Sequence, residues 1–463
     1  MEGDGIMIPK SFNLDRISGG KEIEFIDLKV CDLSGRLHHL TLPFSENTLA
    51  TLLRDGVGFD GSSYGFKPVE NSDMIMKPDL NTCMLDPFRD AVTLSCFTRV
   101  YNTDSKNTAY RYDLRNLSDR AERLLQKYKI ADYSMWGPEF EFYILSDVEF
   151  RSATDESYFR ITSGEDFTAN GYHIANPLDS FDDFRDEASR LLMQAGISVK
   201  YHHHEVGNRG QQEIETNFDA LLATADKIIL SKYILHNLAR QKDLYVTFMP
   251  KPLYGQAGSG LHLHHYLMNR QGNAFFKKGA YANLSQIALY YIGGVLKHAP
   301  ALCAFTNPTT NSYKRLVPGV EAPTAINFGQ ANRASCVRIP RYIKNAEKTR
   351  FEYRPPDATA NPYLALTAVL MAGLDGILNK IDPIKEGFGP YEADDYDSRI
   401  EMHYLPFSLD MALQALQKDY TFLLRDDVLD ESFILHWIDS KNKEFNQISN
   451  WPSPIEYSMY FDL

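Results

Sequence analysis

The sequence has no GxxxxGK[ST] motif, no CxxC pair and no run of 18 apolar residues. The first absence excludes a P-loop nucleotide site. The second leaves five scattered cysteines, Cys31, Cys83, Cys96, Cys303 and Cys336. That odd count fits a reducing cytosol and mostly structural thiols. The third gives no sign of a membrane span, and the opening "MEGDGIMIPK" lacks the basic-then-apolar order of a secretory leader. Excess basic charge is missing too. Lys and Arg number 48 against 61 Asp and Glu, a net charge of −13, which excludes a nucleic-acid binder that needs a basic footprint. What remains is an ordinary globular composition, 44% hydrophobic and 24% charged over 463 residues. A cytoplasmic protein with one large and one small domain is expected.

"EIEFIDLKVC" (22–31) reads as a strand, "DLSG" (32–35) as a turn and "RLHHLTLP" as the returning strand. Short β-rich segments continue to about residue 105, and "NTDSKN" (102–107) reads as a linker. Beyond it, apolar residues at helical spacing predict helices over 117–129, 181–194, 217–241, 281–298 and 362–378. The class is α+β: residues 1–107 form a small β-rich domain and 108–463 a large one. No internal repeat is visible.

"GVGFDG" (56–61) matches GxGxxG, but a helix-like segment precedes it and "SSYGFKP" cannot open a good helix. The dinucleotide reading therefore fails. A glycine-rich mobile loop bearing Asp60, Ser62 and Ser63 is expected instead.

The informative segments are strands with one ionisable face. In "WGPEFEFYIL" (136–145), Glu139, Glu141 and Tyr143 share one side, and Phe140, Phe142 and Ile144 share the other. "KYHHHEVGNRGQQEIE" repeats the pattern with Tyr201, His203 and Glu205, then Glu213 and Glu215. "GSGLHLHHYL" sets His262, His264 and Tyr266 opposite Leu261, Leu263 and Leu267, and "TRFEYRPPD" sets Arg350, Glu352 and Arg354 opposite Phe351 and Tyr353. A solvated sheet face would alternate in the same way, strand by strand. Four such strands spread over 200 residues, rich in Glu and His rather than Lys, point to a shared polar cavity. Crowded carboxylates need cations, and Mg²⁺ or Mn²⁺ suits oxygen ligands. Arg315, Arg333, Arg338, Arg350 and Arg354 supply the forks that bind carboxylate and phosphate. Together these groups suit phosphoryl transfer.

Seven stretches resemble type I glutamine synthetase, in that family's order and across most of the chain. They are "FDGSS" (59–63), "GPEFEFY" (137–143), "HHEVGNRGQQEIE" (203–215), "MPKPLYGQAGSGLHLH" (249–264), "NPTTNSYKRLVPGVEAP" (307–323), "NRASCVRIP" (332–340) and "RFEYRPPDATANPYLAL" (350–366). The resemblance implies a β-grasp-like N-terminal domain and a catalytic domain with a curved antiparallel sheet flanked by helices. It implies ATP-dependent ligation of ammonium to the γ-carboxylate of L-glutamate through γ-glutamyl phosphate, in glutamine biosynthesis. Two or three Mg²⁺ or Mn²⁺ per site are implied as cofactors. So is a homo-oligomer, a dodecamer of two hexameric rings whose active sites lie between subunits. By motif, Glu141, Glu205 and Glu213 would hold one ion, and Glu139, His262 and Glu352 a second. Arg315 and Arg354, with Gly258 nearby and Glu321 on a flap, would bind glutamate. Arg333, Arg338 and Arg350 would bind ATP and phosphate, Arg333 acting in catalysis. Ammonium would meet Asp60, Ser63, Tyr172 and Glu205, with Asp60 taking its proton.

Three positions depart from the family pattern. Ala257 replaces an Asn, Tyr266 stands where a nucleotide-contacting Ser is common, and His403 takes the slot of a regulatory tyrosine, with Tyr404 displaced by one. Control by adenylylation is therefore not expected. A ligase using an amine or polyamine in place of ammonium is the alternative, and a non-catalytic glutamine-synthetase-like protein the remaining one.

Overall fold

Strand β1 (Phe25–Cys31) buries Ile26, Leu28 and Val30 on one face and turns Asp27 and Lys29 to the other, where they pair at 2.5 Å. It lies beside β2 (Leu37–Pro43) in a six-stranded sheet with β3 (Val57–Asp60), β4 (Asp73–Pro78), β5 (Met84–Leu85) and β6 (Thr93–Asn102). The order is β2-β1-β6-β4-β3, with β5 on β6; β1 and β6 run parallel and the other pairs antiparallel. The computed structural model describes residue 9 and residues 12–167, 170–317, 322–392 and 402–463.

The "GVGFDG" segment is not the expected loop. Val57–Asp60 is an edge strand on β4, and Gly61–Tyr64 a single 3₁₀ turn. Gly56 has φ of +78°, and a Cβ there would lie 2.3 Å from Ile75 Cγ2, so only glycine fits against the neighbouring strand. The cysteine reading also changes. Cys83 and Cys96 form a disulfide, while Cys31, Cys303 and Cys336 are free and buried. Pairing of Met84 with Ser95 places the two cysteines directly across from each other, a proximity no CxxC search can detect.

The second sheet is built from β7 (Tyr133–Leu145), β10 (Val199–His204), β11 (Gln211–Thr216), β12 (Tyr245–Thr247), β13 (Leu261–Asn269), β14 (Gly272–Asn273), β15 (Ala325–Gln330), β16 (Ser335–Ile339) and β17 (Phe351–Tyr353). The order is β10-β11-β7-β13-β17-β16-β15, with β12 on β7 and β14 on β13. It is antiparallel except for β15 with β16. A separate hairpin, β8 (Asp147–Ser152) and β9 (Ser157–Thr162), follows β7. Phe140, Phe142 and Ile144 enter the main core with Leu261, Leu263 and Phe351, as the alternation requires.

Helix Pro362–Leu378 appears as the spacing predicts, buried at every position to Gly376. A helix apolar all round belongs inside a core. Other boundaries shift. Helix Leu114–Lys127 starts early because Asp113 caps it by accepting from Arg115 N. Helix Leu221–Gln241 starts late because Asp219 and Trp136 exchange backbone hydrogen bonds of 2.9 and 2.8 Å. The predicted 281–298 helix is Gln286–Lys297, capped by Ser285 after a 3₁₀ turn at 281–283. Helix Asp182–Gln194 forms as expected. Among the described residues, no single helix is long and apolar enough to cross a membrane.

A buried ion network joins the first sheet to the helices packed on the second. Arg115 meets Asp226 at 2.8 Å and Asp79, just beyond β4, at 3.0 Å, while Tyr363 donates to Asp226 at 2.6 Å. Removing the arginine would strand buried carboxylates. Arg115→Leu is expected to destabilise the fold by about 3–5 kcal/mol, read as a lowered midpoint in thermal unfolding.

Candidate active site

Strand register decides which side chains meet. Glu213 on β11 lies between His203 on β10 and Glu141 on β7. One step along, Glu215 faces Glu139, which faces His262 on β13. Glu352 on β17 lies between His264 on β13 and Arg338 on β16. Three rows of ionisable groups thus cross the sheet. Like charges directly opposite one another destabilise a sheet, so this face demands compensation.

The rows line a cavity of about 2440 Å³ that also takes in Tyr172, Glu205, Gly258, Arg315, Arg333 and Arg354. All six residues expected to hold cations are therefore in one hollow. Ligating atoms of Glu139, His262 and Glu352 lie within 4.8 Å of one another. So do those of His203, Glu205 and Glu213, and of Glu139, Glu141 and Glu213. A further grouping, Glu139, Glu215 and His264, adjoins them.

The hydrogen bonds show how the ligands are aimed. Glu141 accepts from Gly260 N at 2.7 Å, and Glu205 from Val206 N at 2.7 Å. His262 Nδ1 lies 2.7 Å from Glu139, and its Nε2 faces Arg315 Nη2 at 3.4 Å. Since arginine only donates, the imidazole hydrogen sits on Nδ1. Glu352 accepts from both Arg338 and Arg354.

The electrostatics divide the cluster. Burial, reinforced by Glu141, pushes Glu205 up to about 8. Burial and the Glu139 and Glu205 charges push Glu213 well above the usual carboxylate range. For Glu352 burial is outweighed by Arg354 and His264, and its carboxyl falls to about 2. His262 and His264 likewise outweigh burial at Glu139 and hold it low. The Glu205–Glu213 side thus offers crowded carboxyls without compensating arginine charge, and carboxylate oxygens are the ligands that hard divalent cations take. The donor set fits Mg²⁺ or Mn²⁺.

Arg315 is buried, with Nη1 donating to Pro355 O at 2.7 Å and Nη2 to Arg354 O at 3.2 Å. Arg333 sits 6.0 Å above the Tyr172 ring. Ala257 uses its carbonyl, which accepts from Tyr143 at 2.7 Å, so the loss of an Asn side chain there leaves this bond intact. Tyr266 packs on Phe218, ring centres 5.1 Å apart.

Three expected residues lie elsewhere. Arg350 is not among the lining residues: it precedes β17 and stacks over Phe218 at 5.4 Å. Asp60 and Ser63 sit in the N-terminal sheet, outside this chain's own cavity. Glu321 falls outside the described residues. His403 and Tyr404 are exposed, Tyr404 bridging to Ala325. Sequence reading assigned no role to His203, His264 or Glu215, although their alternation already placed them on the polar faces.

Comparison with known proteins agrees with this architecture. Residues 22–103 match the family model "Glutamine synthetase, beta-Grasp domain" and 111–460 match "Glutamine synthetase, catalytic domain". The chain is 41% identical to a glutamine synthetase of Frankia alni, covering 99% of this chain and all of that protein. It is 41% identical to one of Aquifex aeolicus, covering 95% and 96%. The solved structure of Plasmodium falciparum glutamine synthetase superposes with a TM-score of 0.85 at 25% identity, over 95% of this chain and 96% of that one. A protein called GmaS, solved without ligand, gives 0.82 at 26% over 97% and 100%. Fold and comparisons together define a ligase with a β-grasp and a catalytic domain, of a family that implies divalent metals. The chain belongs to the glutamine synthetase family, as its motifs imply.

A pH dependence follows from the raised carboxyls. Without metal the folded chain holds more protons than the unfolded one as pH rises from the ordinary Glu range toward about 8. Stability of the metal-free chain should therefore fall across that window. Divalent-cation binding should expel protons at neutral pH and tighten as pH rises. Calorimetric titration of Mn²⁺ in buffers of different ionisation enthalpy measures the protons released.

Proposed function

We propose that this protein joins ammonium to L-glutamate at the expense of ATP, releasing L-glutamine, ADP and phosphate. The observation that carries the reading is the convergence of Glu139, Glu141, Glu205, Glu213, His262 and Glu352 with Arg315, Arg333, Arg338 and Arg354 in one cavity of a chain 41% identical to glutamine synthetases. Glu141, Glu205 and Glu213 would hold one cation, and Glu139, His262 and Glu352 the second. Bound there, Mg²⁺ or Mn²⁺ would neutralise the carboxylates and polarise phosphoryl oxygens.

Arg338 and Arg354 both pair with Glu352. Arg354 would bind the glutamate carboxylate and Arg338 phosphate, with Arg333 next to Arg354. Arg315, fixed by main-chain carbonyls next to Gly258, orients glutamate. Its γ-carboxylate oxygen bonds to the γ-phosphorus as the bond to ADP breaks. Ammonia then attacks the acyl carbon and phosphate leaves. A flap bearing Glu321 would exclude water from the acyl phosphate.

Asp60 and Ser63 enter this reading from a neighbouring subunit of a ringed homo-oligomer, taken as two hexamers. Ser63 and Ser62 hydroxyls and the Ser62 amide bond the Asp60 carboxylate and hold it well below the usual range. It therefore stays anionic and attracts ammonium; proton transfer to it belongs to the drier setting of the partner's cavity. We place the domain division at 107/108, between β6 and helix Leu114–Lys127, and the protein in the cytoplasm.

The second reading is an amine acceptor; the structural neighbours called GmaS match at 26% and 27% identity, against 41% for the glutamine synthetases. Phosphate release from ATP with glutamate and Mg²⁺ decides between them: ammonium-dependent turnover is expected, and turnover with amines alone would overturn the reading.

The shared site has its own test. Asp60→Asn and Glu213→Gln chains should each be inactive alone. Mixed into one assembly they should recover about a quarter of the sites, because a head-to-tail interface pairs one chain's Asp60 with the other's Glu213. Absence of any recovery would place Asp60 within its own chain's chemistry.

A further inference from the structure

The segment between β9 and helix Asp182–Gln194 brings Tyr172 and His173 to the cavity wall. What holds it there lies on the far side of β10. His203 faces the cavity with Glu205, just beyond the strand end, while His202 and His204 alternate with them. His204 is fully buried. Its Nε2 lies 2.8 Å from Glu165 Oε2 and its Nδ1 lies 2.7 Å from the Glu205 main-chain oxygen. A carbonyl oxygen only accepts, so Nδ1 carries a hydrogen; a second hydrogen lies between Nε2 and the Glu165 carboxyl, and the two bonds fix the ring orientation.

The main chain of His204 and Val206 seats the segment. His173 N donates to His204 O at 3.0 Å, and Gly171 N to Val206 O at 3.2 Å. Gly171 rests on the imidazole: a Cβ there would lie 2.5 Å from His204 Cε1 and 2.6 Å from Glu205 O. The other oxygen of Glu165 accepts from Ser180 N at 2.7 Å, so one carboxylate closes both ends of the segment. Buried Arg185 anchors the far end to the sheet. It bonds Asp179 at 2.9 and 2.5 Å and also reaches Gln212, the neighbour of Glu213. Tyr172 is then held by its ring contacts to His173 at 4.1 Å and His203 at 5.4 Å.

We propose that Glu165 and His204 are positioning residues for the acceptor: a buried carboxylate–imidazole clasp that sets Tyr172 against Glu205 and so shapes where ammonium binds. The proposal rests on the reading of Tyr172 and Glu205 as the ammonium end of the cavity. Neither Glu165 nor His204 lines the cavity, so loss of the clasp should be read in one substrate only. A purely structural pair would lower stability and disturb all three substrates alike.

The test is steady-state kinetics of the assembled enzyme with Glu165→Ala, Glu165→Gln and Gly171→Ala. Glu165→Ala and Gly171→Ala should raise KM for ammonium about tenfold or more, as expected for a misplaced binding group. KM for ATP and for glutamate should stay within about twofold. Glu165→Gln should recover most of the ammonium affinity, since its amide can donate to Nε2 while Nδ1–H still meets the Glu205 carbonyl. An unchanged ammonium KM in Gly171→Ala, or equal shifts for all three substrates, overturns the proposal. If Glu165→Ala does not assemble, Gly171→Ala decides alone, because its added methyl presses on the same ring. Wild-type protein without ammonium-dependent turnover would defeat the functional reading itself. Wild-type turnover with a normal ammonium KM in the variants would defeat only the clasp.

Discussion

Carboxylates placed opposite carboxylates on adjacent strands are the constraint around which this molecule is arranged. Glu213 faces Glu141, and Glu215 faces Glu139, across a sheet whose other side is a hydrophobic core. Neither pair can be moved without a register slip, and a slip of one residue would carry Phe140 and Phe142 into the cavity. The core therefore fixes the register, and the register imposes the charge problem. It raises the Glu205 and Glu213 carboxyls above the usual range, arginines relieve it at Glu352, and divalent cations would relieve it throughout.

The same alternation organises the layer behind the site. Residues between the inward-facing ligands do more than fill space: His204 and Gln212 fasten the segment that bears Tyr172. One strand periodicity thus supplies ligands on one side and their support on the other. The N-terminal sheet is tied to helix Leu114–Lys127 through Asp79 and Arg115. Asp60 ends the edge strand of that sheet.

Much of this was legible in the sequence, and the reason is period two. Glu139 and Glu141 fall on one face because a strand permits nothing else, and the same holds for His262 with His264 and Glu205 with His203. Helix Pro362–Leu378 was equally legible, since its apolar residues surround the whole axis. What alternation cannot give is which strand lies beside which. The Cys83–Cys96 bond, the His204–Glu165 pair and the exclusion of Arg350 from the cavity all depend on tertiary neighbours. Val57–Asp60 is not legible as a strand because the flanking Gly56 and Gly61 speak for a loop, whereas here they allow the close approach to β4. The start of helix Leu221–Gln241 was misplaced because Asp219 is taken up by Trp136.

The claim that two cation sites share this sheet face is tested most directly by an anomalous-difference map at the manganese edge from crystals grown with Mn²⁺. Two peaks inside the cavity are predicted, one touching Glu139, His262 and Glu352 and the other touching Glu141, Glu205 and Glu213. No peak among these side chains, or peaks only at surface carboxylates, would contradict the account.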